Sequence, residues 1–338
     1  MRRRIAVLSG GRSSEHEISL ASARSVAAAL SARGAEVVPV EIGRTGAWQL
    51  GPGPGENTRS GPGSELEPRL PGRAVAAALA GVDVVFPVLH GPFGEDGTVQ
   101  GLLELAGVPY VGAGVNASAL AMDKDLFKSV LRDNGVPVSR NITLRTGDGA
   151  RTPFGYPVFV KPARLGSSVG ISKAHDEAEL ATAVELAFEH DEKVLVEEFV
   201  DGIEVEVGVL GNRDPVASIP GEIVVTNNEW YDYEAKYVEG EMDLVIPARV
   251  TPEQLRRAQE LAVKAFVVSS CEGMGRVDMF VRADGEVLVN ELNTIPGFTE
   301  TSVYAKLFEH SGIGYGELLE RLVDLALERH ERRSHLRF

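Results

Sequence analysis

Two carboxylates and an amide occur at close spacing near the carboxyl end of the chain. Asp278 lies in the apolar segment RVDMF, and Glu291 and Asn293 lie in VLVNELN, after an Asp284–Gly285 turn. The pattern predicts a β-hairpin, in which residues two apart share a face, so the three side chains should converge. Carboxylate and amide oxygens are ligands that magnesium prefers, often together with substrate phosphates. The segment therefore predicts a divalent-cation site; ordinary acids on an exposed hairpin are the alternative.

A lysine followed by a loop of small residues forms a second candidate site. Lys161 ends an apolar strand in FVKPARLGSSVG, and the loop 166–170 follows at once. Backbone amides of such a loop, together with a cation, can bind a phosphate chain. The spacing matches neither a Walker loop nor a dinucleotide-binding fingerprint. A turn beside a surface lysine is the competing interpretation.

A third segment, KVLVEEFVDGIEVEVGVL, predicts a pair of strands that carry Glu197 and Glu204. The backbone of such a pair could bind an adenine edge, and a carboxylate could bind ribose hydroxyls. Any amphipathic antiparallel pair has a similar pattern, so this segment alone does not define a nucleotide site.

Glu15 and His90 each follow a predicted parallel strand in the N-terminal third of the chain. Ligands of doubly wound sheets bind at the carboxyl ends of the strands, so both residues are candidate ligand contacts. Structural roles are the alternative, because an acid in the first turn stabilises a helix and a histidine can be buried or act as a cap.

The predicted secondary structure that must position these residues differs between the N-terminal third of the chain and the rest. Strands at 5–10, 37–42 and 82–90 alternate with helices and predict a parallel sheet. After a helix at 116–133 and a polar joint between domains at 145–153, strands predominate, which predicts an α+β region with mainly antiparallel pairing. The other features predicted are helices at 14–33, 176–189 and 252–268, a loop at 51–73 and a solvated basic end at 329–338.

The composition narrows the classes of function. The chain has 338 residues, 43% of them hydrophobic and 25% charged, as in ordinary globular proteins. Its 34 basic and 49 acidic residues give a net charge of −15, which disfavours nucleic acid as a partner. The single cysteine, Cys271, favours a reducing compartment, by default the cytoplasm. The apolar runs are short, so we expect neither a signal peptide nor a membrane span.

Seven segments in order along the chain share the pattern of one known family. They are GGRSSEHEISLASA, HGPFGEDGTVQGLLELAGVPYVGAG, ASALAMDK, FVKPARLGSSVGISK, WYDYEAKY, GRVDMF and NELNTIPGFTETS. Together they resemble the D-alanine–D-alanine ligases of the ATP-grasp superfamily. The resemblance implies an N-terminal α/β parallel-sheet domain (1–123) and a two-part ATP-grasp fold. Its parts would be a central lid domain (124–210) and a C-terminal catalytic domain (211–338), with ATP between them.

The resemblance also implies roles for residues that contact the amino acids. Glu15 would bind the ammonium group of the first D-alanine, with His90 nearby. Arg276 and the amide of Gly297 would face the oxyanion that develops at the reacting carbon.

Four further residues would contact or enclose the second substrate. Ser167 would link Glu15 to Tyr237, and Lys236 and Ser302 would hold the carboxylate of the second D-alanine. The segment 226–241 would close over the site and exclude water, which competes as a nucleophile.

The resemblance also implies which residues bind the nucleotide and its metal ions. Lys124 and Lys161 would contact the phosphates, Glu197 and Val200 would border the adenine, and Glu204 would hold the ribose. The full set implied to bind ATP is Lys124, Lys161, Glu197, Glu198, Val200, Glu204 and Lys236. Two magnesium or manganese ions would be bound by Asp278, Glu291 and Asn293.

The implied activity is ATP-dependent joining of two D-alanines through D-alanyl phosphate, for peptidoglycan precursors, by a cytoplasmic homodimer. A D-alanine–D-lactate or mixed D-dipeptide ligase on the same scaffold is the nearest alternative. Ligases that use D-lactate carry a histidine in place of the tyrosine, so Lys236–Tyr237 favours an amine. A regulatory module without turnover would lack a metal ligand or Arg276, and all of these are present.

Overall fold

The structure, a computed structural model, describes residues 2–50, 79–166, 169–225 and 242–337. The strands of these ranges form three sheets, of four, six and four strands. The predicted loops at 51–73 and 226–241 lie outside the described residues. Among the residues described, no helix is both long enough and apolar enough to span a bilayer.

The first sheet has the predicted parallel core. Its strands are β1 (Arg4–Gly10), β2 (Glu36–Ile42), β3 (Trp48–Leu50) and β4 (Val84–Pro87), in the order β3-β2-β1-β4. Strand β1 lies parallel to β2 and β4, and helix α1 (His16–Ala32) makes the first crossover. Ile5 and Val7 pack into one core while Ala6 and Leu8 pack into another, so both faces of β1 are buried. A sheet covered on both faces explains the continuous apolar run.

After helix α2 (Thr98–Ala106), two helices replace the single helix predicted at 116–133. They are α3 (Val115–Met122) and α4 (Lys124–Asp133), and Asp123 between them is extended, with φ −86° and ψ 93°. The Asp123 carboxylate accepts the backbone N–H of Leu126 and lies 2.6 Å from Lys193 Nζ. The single-helix prediction was wrong because a residue far along the chain holds this carboxylate at a helix start.

The central sheet is entirely antiparallel. Its strands are β5 (Asn141–Arg145), β6 (Val158–Pro162), β7 (Ser172–Ala174) and β8 (Lys193–Glu198), in the order β5-β8-β6-β7. Helix α5 (Glu177–Phe188) packs against it. The polar segment 145–153 connects two strands of this one sheet, so its interpretation as a joint between domains was wrong.

The third sheet contains the predicted C-terminal hairpin. Its strands are β9 (Gly202–Gly211), β10 (Val216–Ala217), β11 (Gly221–Val225), β12 (Met242–Val245), β13 (Gly273–Arg282) and β14 (Val287–Asn293). They run in the order β12-β11-β9-β13-β14, with β10 also paired to β9. The helices that follow or cover it are α6 (Pro252–Val268), α7 (Val303–His310) and α8 (Tyr315–Ser334).

Strands β8 and β9 belong to different sheets, although the sequence predicted that they pair. Strand β9 pairs with β13 along its whole length, whereas β8 pairs with β5 and β6. A boundary at 210 would assign β9 to the central domain. We propose that the boundary falls between β8 and β9, because a domain contains its own sheet and core.

The basic C-terminal segment is mostly exposed, as expected, but it is helical as far as Ser334 and its first residue is buried. Helix α8 continues to Ser334, and Arg329 is buried. The Arg329 guanidinium donates to the carbonyl oxygens of Tyr110, at 2.7 Å, and Gly112, and lies 4.4 Å from the centre of the Tyr110 ring. One side chain thus joins the last helix to the segment that follows α2.

Replacing Arg329 by Leu should lower the free energy of unfolding by about 2–4 kcal/mol, because two buried carbonyl groups lose their donors. Urea unfolding followed by circular dichroism would measure the change. The control is Arg321→Ala on the same helix, which removes an exposed pair with Glu317 and should cost less than about 0.5 kcal/mol. Equal losses in the two variants would contradict the role given to Arg329.

Candidate active site

Two neighbouring cavities contain most of the predicted site residues that the structure describes. The first is lined by Glu15, His90, Arg276 and Gly297, among others. The second is lined by Lys161 and the segment from Glu197 to Glu204, and has a volume of about 410 Å³, which suits a small-molecule site. Lys124 and Glu291 line both cavities, so a ligand in one would meet a ligand in the other at these residues.

The predicted hairpin brings Asp278, Glu291 and Asn293 together. Asp278 lies directly across from Glu291, and Asn293 Nδ2 donates to Asp278 Oδ2 at 2.8 Å. A shift in register after Asp278 leaves Asn290 as an extra residue in β14. Because of this bulge, the adjacent residues Asn290 and Glu291 both line the second cavity.

Arg276 lies among carboxylates at the floor of the site. Its Nε and Nη2 atoms donate to the two oxygens of Asp278 at 2.8 Å, which is a bidentate pair. Its Nε also lies 2.9 Å from Oε2 of Glu206, which is fully buried. Sequence reasoning missed Glu206. The alternation in GIEVEV places it on the same face as Glu204, but only the pairing of Glu206 with Asp278 shows which residues it contacts.

Lys124 is positioned by the break between α3 and α4. It is the first residue of α4, and its backbone N–H donates to the carbonyl of Ala163 at 3.0 Å. Its Nζ donates to the carbonyl of Leu165 at 2.7 Å and lies 3.7 Å from Oε2 of Glu291. The ammonium group therefore lies between the loop after β6 and the carboxylates of the hairpin.

Lys161 shares a buried carboxylate with a lysine that sequence reasoning missed. Its Nζ lies 2.6 Å from Oε2 of Glu197, and Lys128 Nζ contacts the other oxygen, Oε1. Burial alone would raise the pKa of Glu197, but the two ammonium groups outweigh it and lower this pKa to about 2. Glu197 is thus ionised and held by two lysines, in addition to lining the second cavity.

The rest of the second cavity combines apolar and acidic side chains. Phe159 and Phe199 stack with ring centres 6.3 Å apart. Val200 and Glu204 lie beside them along the lining, and Glu198 accepts the Nε–H of Arg140 at 2.7 Å. Aromatic and aliphatic surface with a few polar groups is the lining expected for a bound aromatic ring.

The first cavity contains buried titratable groups on the loops after β1 and β4. His90 Nδ1 donates to the carbonyl of Ile295 at 3.0 Å, and burial lowers the pKa of this imidazole. Glu15 is buried beside it. Burial, followed by the charge of Glu15, raises the pKa of Glu95 to about 8, so this missed residue is protonated at neutral pH.

The turn before α7 lies next to Gly297, which lines the first cavity; Ser302 itself is not among the lining residues. Ser302, the N-cap residue of α7, accepts the backbone N–H of Thr299 at 2.9 Å, and their hydroxyl groups are 2.8 Å apart. A Cβ added to Gly297 would lie 3.4 Å from Ser302 Oγ, so the two residues are neighbours. Ser167, Lys236 and Tyr237 lie outside the described residues.

Comparison with protein families gives two matches that together span most of the chain. The model described as "D-ala D-ala ligase N-terminus" matches residues 4–113, and the one described as "D-ala D-ala ligase C-terminus" matches residues 130–324. The chain is 49% identical to a D-alanine–D-alanine ligase of Deinococcus radiodurans, covering 97% of this chain and 99% of that protein. It is 47% identical to D-alanine–D-alanine ligase A of Mesorhizobium japonicum, covering 98% and 99%.

Two solved structures of ligases are similar to this structure over nearly the whole chain. The D-alanine–D-alanine ligase of Coxiella burnetii superposes with a TM-score of 0.83 at 35% identity, covering 98% of this chain and 96% of that one. The VanG D-Ala:D-Ser ligase of Enterococcus faecalis gives a TM-score of 0.82 at 34% identity, covering 96% and 100%. These neighbours have the ATP-grasp fold, which confirms the predicted fold class. The chain belongs to the D-alanine–D-alanine ligase family.

Proposed function

We propose that this chain joins two D-alanines to D-alanyl-D-alanine while converting ATP to ADP and phosphate. The observation that supports this most is the meeting of two cavities at Lys124 and Glu291. One cavity contains a buried carboxylate, Glu15, suited to an ammonium group, and the other has an aromatic wall and a lysine, Lys161, suited to a nucleotide. Amino acid and terminal phosphate would meet at the shared residues.

The chemistry requires an activated carboxylate, because forming an amide in water is unfavourable. A carboxylate oxygen of the first D-alanine attacks the γ-phosphorus, ADP leaves, and D-alanyl phosphate forms. The neutral amine of the second D-alanine then attacks the acyl carbon, inorganic phosphate leaves, and the amine loses its proton. Two anions approach in the first step, and Lys124, Lys161 and Arg276 reduce their repulsion. Arg276 and the Gly297 amide would stabilise the oxyanion of the second step.

The donor set of the hairpin fits divalent cations. Asp278 and Glu291 offer carboxylates from facing strands, and Asn293, which donates Nδ2 to Asp278, offers its amide oxygen. Magnesium binds few protein ligands of this kind when it also binds phosphates. When bound, magnesium would neutralise charge on the transferring phosphoryl group.

The substrates would be held by residues from widely separated parts of the chain. Glu15 would bind the ammonium group of the first D-alanine, with His90 nearby, and Ser302 with Lys236 would bind the second carboxylate. Tyr237 and Ser167 would complete the lid contact with Glu15. The residues proposed for ATP are Lys124, Lys161, Glu197, Glu198, Val200, Glu204 and Lys236. The product would serve peptidoglycan synthesis, and the enzyme would be a homodimer in the cytoplasm, where the buried thiol of Cys271 stays reduced.

A second candidate differs only in the nucleophile. The similarity to a D-Ala:D-Ser ligase supports D-serine as an alternative second substrate. D-Lactate is disfavoured because Tyr237 stands where ester-forming relatives carry histidine.

Product analysis distinguishes these candidates. With ATP and magnesium, we expect phosphate release with D-alanine alone, none above background with L-alanine, and D-alanyl-D-alanine as the main product by mass spectrometry. A mixed D-Ala–D-Ser or D-Ala–D-lactate product in equimolar mixtures would favour the alternatives. Nucleotide binding without phosphate release for any amino acid would contradict the proposal.

Replacing Glu291 by Gln should lower ADP formation by at least about 100-fold, because a charged ligand is lost from the proposed cation site. The folded state should keep its urea midpoint, since Glu291 is only partly buried. The control is Glu286→Gln, an exposed acid in the loop of the same hairpin. An unchanged rate for the Glu291 variant would remove it from the metal site.

Replacing Ser302 by Ala should raise the Michaelis constant for the second D-alanine about tenfold or more, because a hydrogen bond to a carboxylate is lost. The constant for the first D-alanine should change much less. Steady-state kinetics over a wide range of D-alanine concentrations separates the two. The control is Thr301→Ala at an exposed neighbour; equal effects on both constants would place Ser302 elsewhere.

A further inference from the structure

The fully buried lysine of helix α4, Lys128, lies one turn after Lys124. We propose that Lys128 is a positioning residue that balances the charge of Glu197, so that Lys161 can act on the phosphates of the nucleotide. The proposal rests on the proposed function, because it concerns how ATP is bound.

The contacts form a closed cluster across three elements. Lys128 Nζ donates to Ser139 Oγ at 2.6 Å and contacts Oε1 of Glu197. The other oxygen of Glu197, Oε2, lies 2.6 Å from Lys161 Nζ. Lys161 lines the second cavity, and Lys128 lies behind Glu197, outside the lining. One carboxylate therefore bridges a cation that faces the ligand and a cation that does not.

Charge counting shows what the second lysine contributes. Lys161 and Glu197 alone would have no net charge, and a triphosphate would gain little from a neutral pair. Lys128 restores one positive charge to the cluster. Coulomb energies are larger for groups shielded from water, so the restored charge acts strongly on a phosphate in the cavity. Burial lowers the pKa of Lys128, but its direct contact with the Glu197 carboxylate favours the ammonium form.

Two other acids lie near Lys161, but each has a proposed ligand of its own. The charges of Glu204 and Glu291 also act on Lys161, but we assign Glu204 to the ribose and Glu291 to magnesium. Among the acids that the structure describes, Glu197 is the one that contacts Lys161 directly, and it is buried. It therefore needs a cation from the protein, and Lys128 supplies it.

Packing alone does not explain a lysine at this position. Phe127 and Leu131 of the same helix pack with Phe266 and Val289 in the large C-terminal core. An apolar side chain at 128 could also fill space, and replacing a complete buried ion pair by apolar groups is often neutral or stabilising. The retained pair therefore indicates a role in the adjoining nucleotide cavity.

Isothermal titration calorimetry would measure the affinities for ADP and for adenosine, both with magnesium. Only ADP carries phosphates, so a loss of phosphate attraction lowers the ADP affinity alone, whereas a distorted cavity lowers both affinities. For Lys128→Met, we expect ADP affinity to fall about tenfold or more and adenosine affinity to stay within about twofold. Lys128→Arg, which keeps the charge, should recover most of the ADP affinity. The control is Lys264→Met, which removes an exposed lysine from helix α6 and should change neither affinity.

A double variant covers the case in which Lys128→Met does not fold. Lys128→Met with Glu197→Gln leaves the cluster with the single charge of Lys161, as in the parent protein, and buries no unpaired acid. Its ratio of ADP to adenosine affinity should match the parent within about threefold. Equal loss of both ligands in the single variant, no loss of either, or a collapsed ratio in the double variant would overturn the proposal. A parent protein that binds no ADP would instead remove the proposed function itself.

Discussion

The register of three adjacent strands is the constraint on which this site depends. Glu206, Asp278 and Glu291 lie side by side on β9, β13 and β14, so three acids share one patch of the sheet. Such a row is unfavourable unless cations offset it. Arg276 contacts two of the three acids, and Lys124 lies near the third. The structure thus concentrates negative charge where magnesium is proposed to bind, and it holds that charge with cations that also suit phosphate.

The helix break at Asp123 connects the central sheet to this charge pattern. Lys193 of the central sheet holds the Asp123 carboxylate, and Asp123 caps the helix that carries Lys124 and Lys128. The two lysines lie one turn apart on the same helix; Lys124 lines both cavities, and Lys128 is buried behind Glu197. The buried contacts of Arg329 join the last helix to the segment after α2. A few buried polar and ionic contacts therefore fix how these remote segments lie against one another.

Sequence reasoning recovered the parallel N-terminal sheet, helix 252–268 and the hairpin that brings Asp278 to Glu291, because each depends on a periodic pattern or a turn. The sequence-based predictions failed where a contact with a remote part of the chain decides the structure of a segment. The pairing of β8 with β9 was wrong because a turn can also lead a chain from one sheet to another. Buried Lys128 and Glu206 were missed because charged residues are ordinarily placed on the surface.

The family and the order of most strands and helices were determined by the sequence itself, since local periodicity and motif spacing are properties of the linear chain. Only the tertiary structure decided which charges neutralise which. The contacts of the Glu197 carboxylate with Lys128 and Lys161 cannot be read from the sequence, because they exist only when helix α4 lies beside strands β6 and β8. Electrostatic energy depends on distance and burial, and both arise only when remote segments come together.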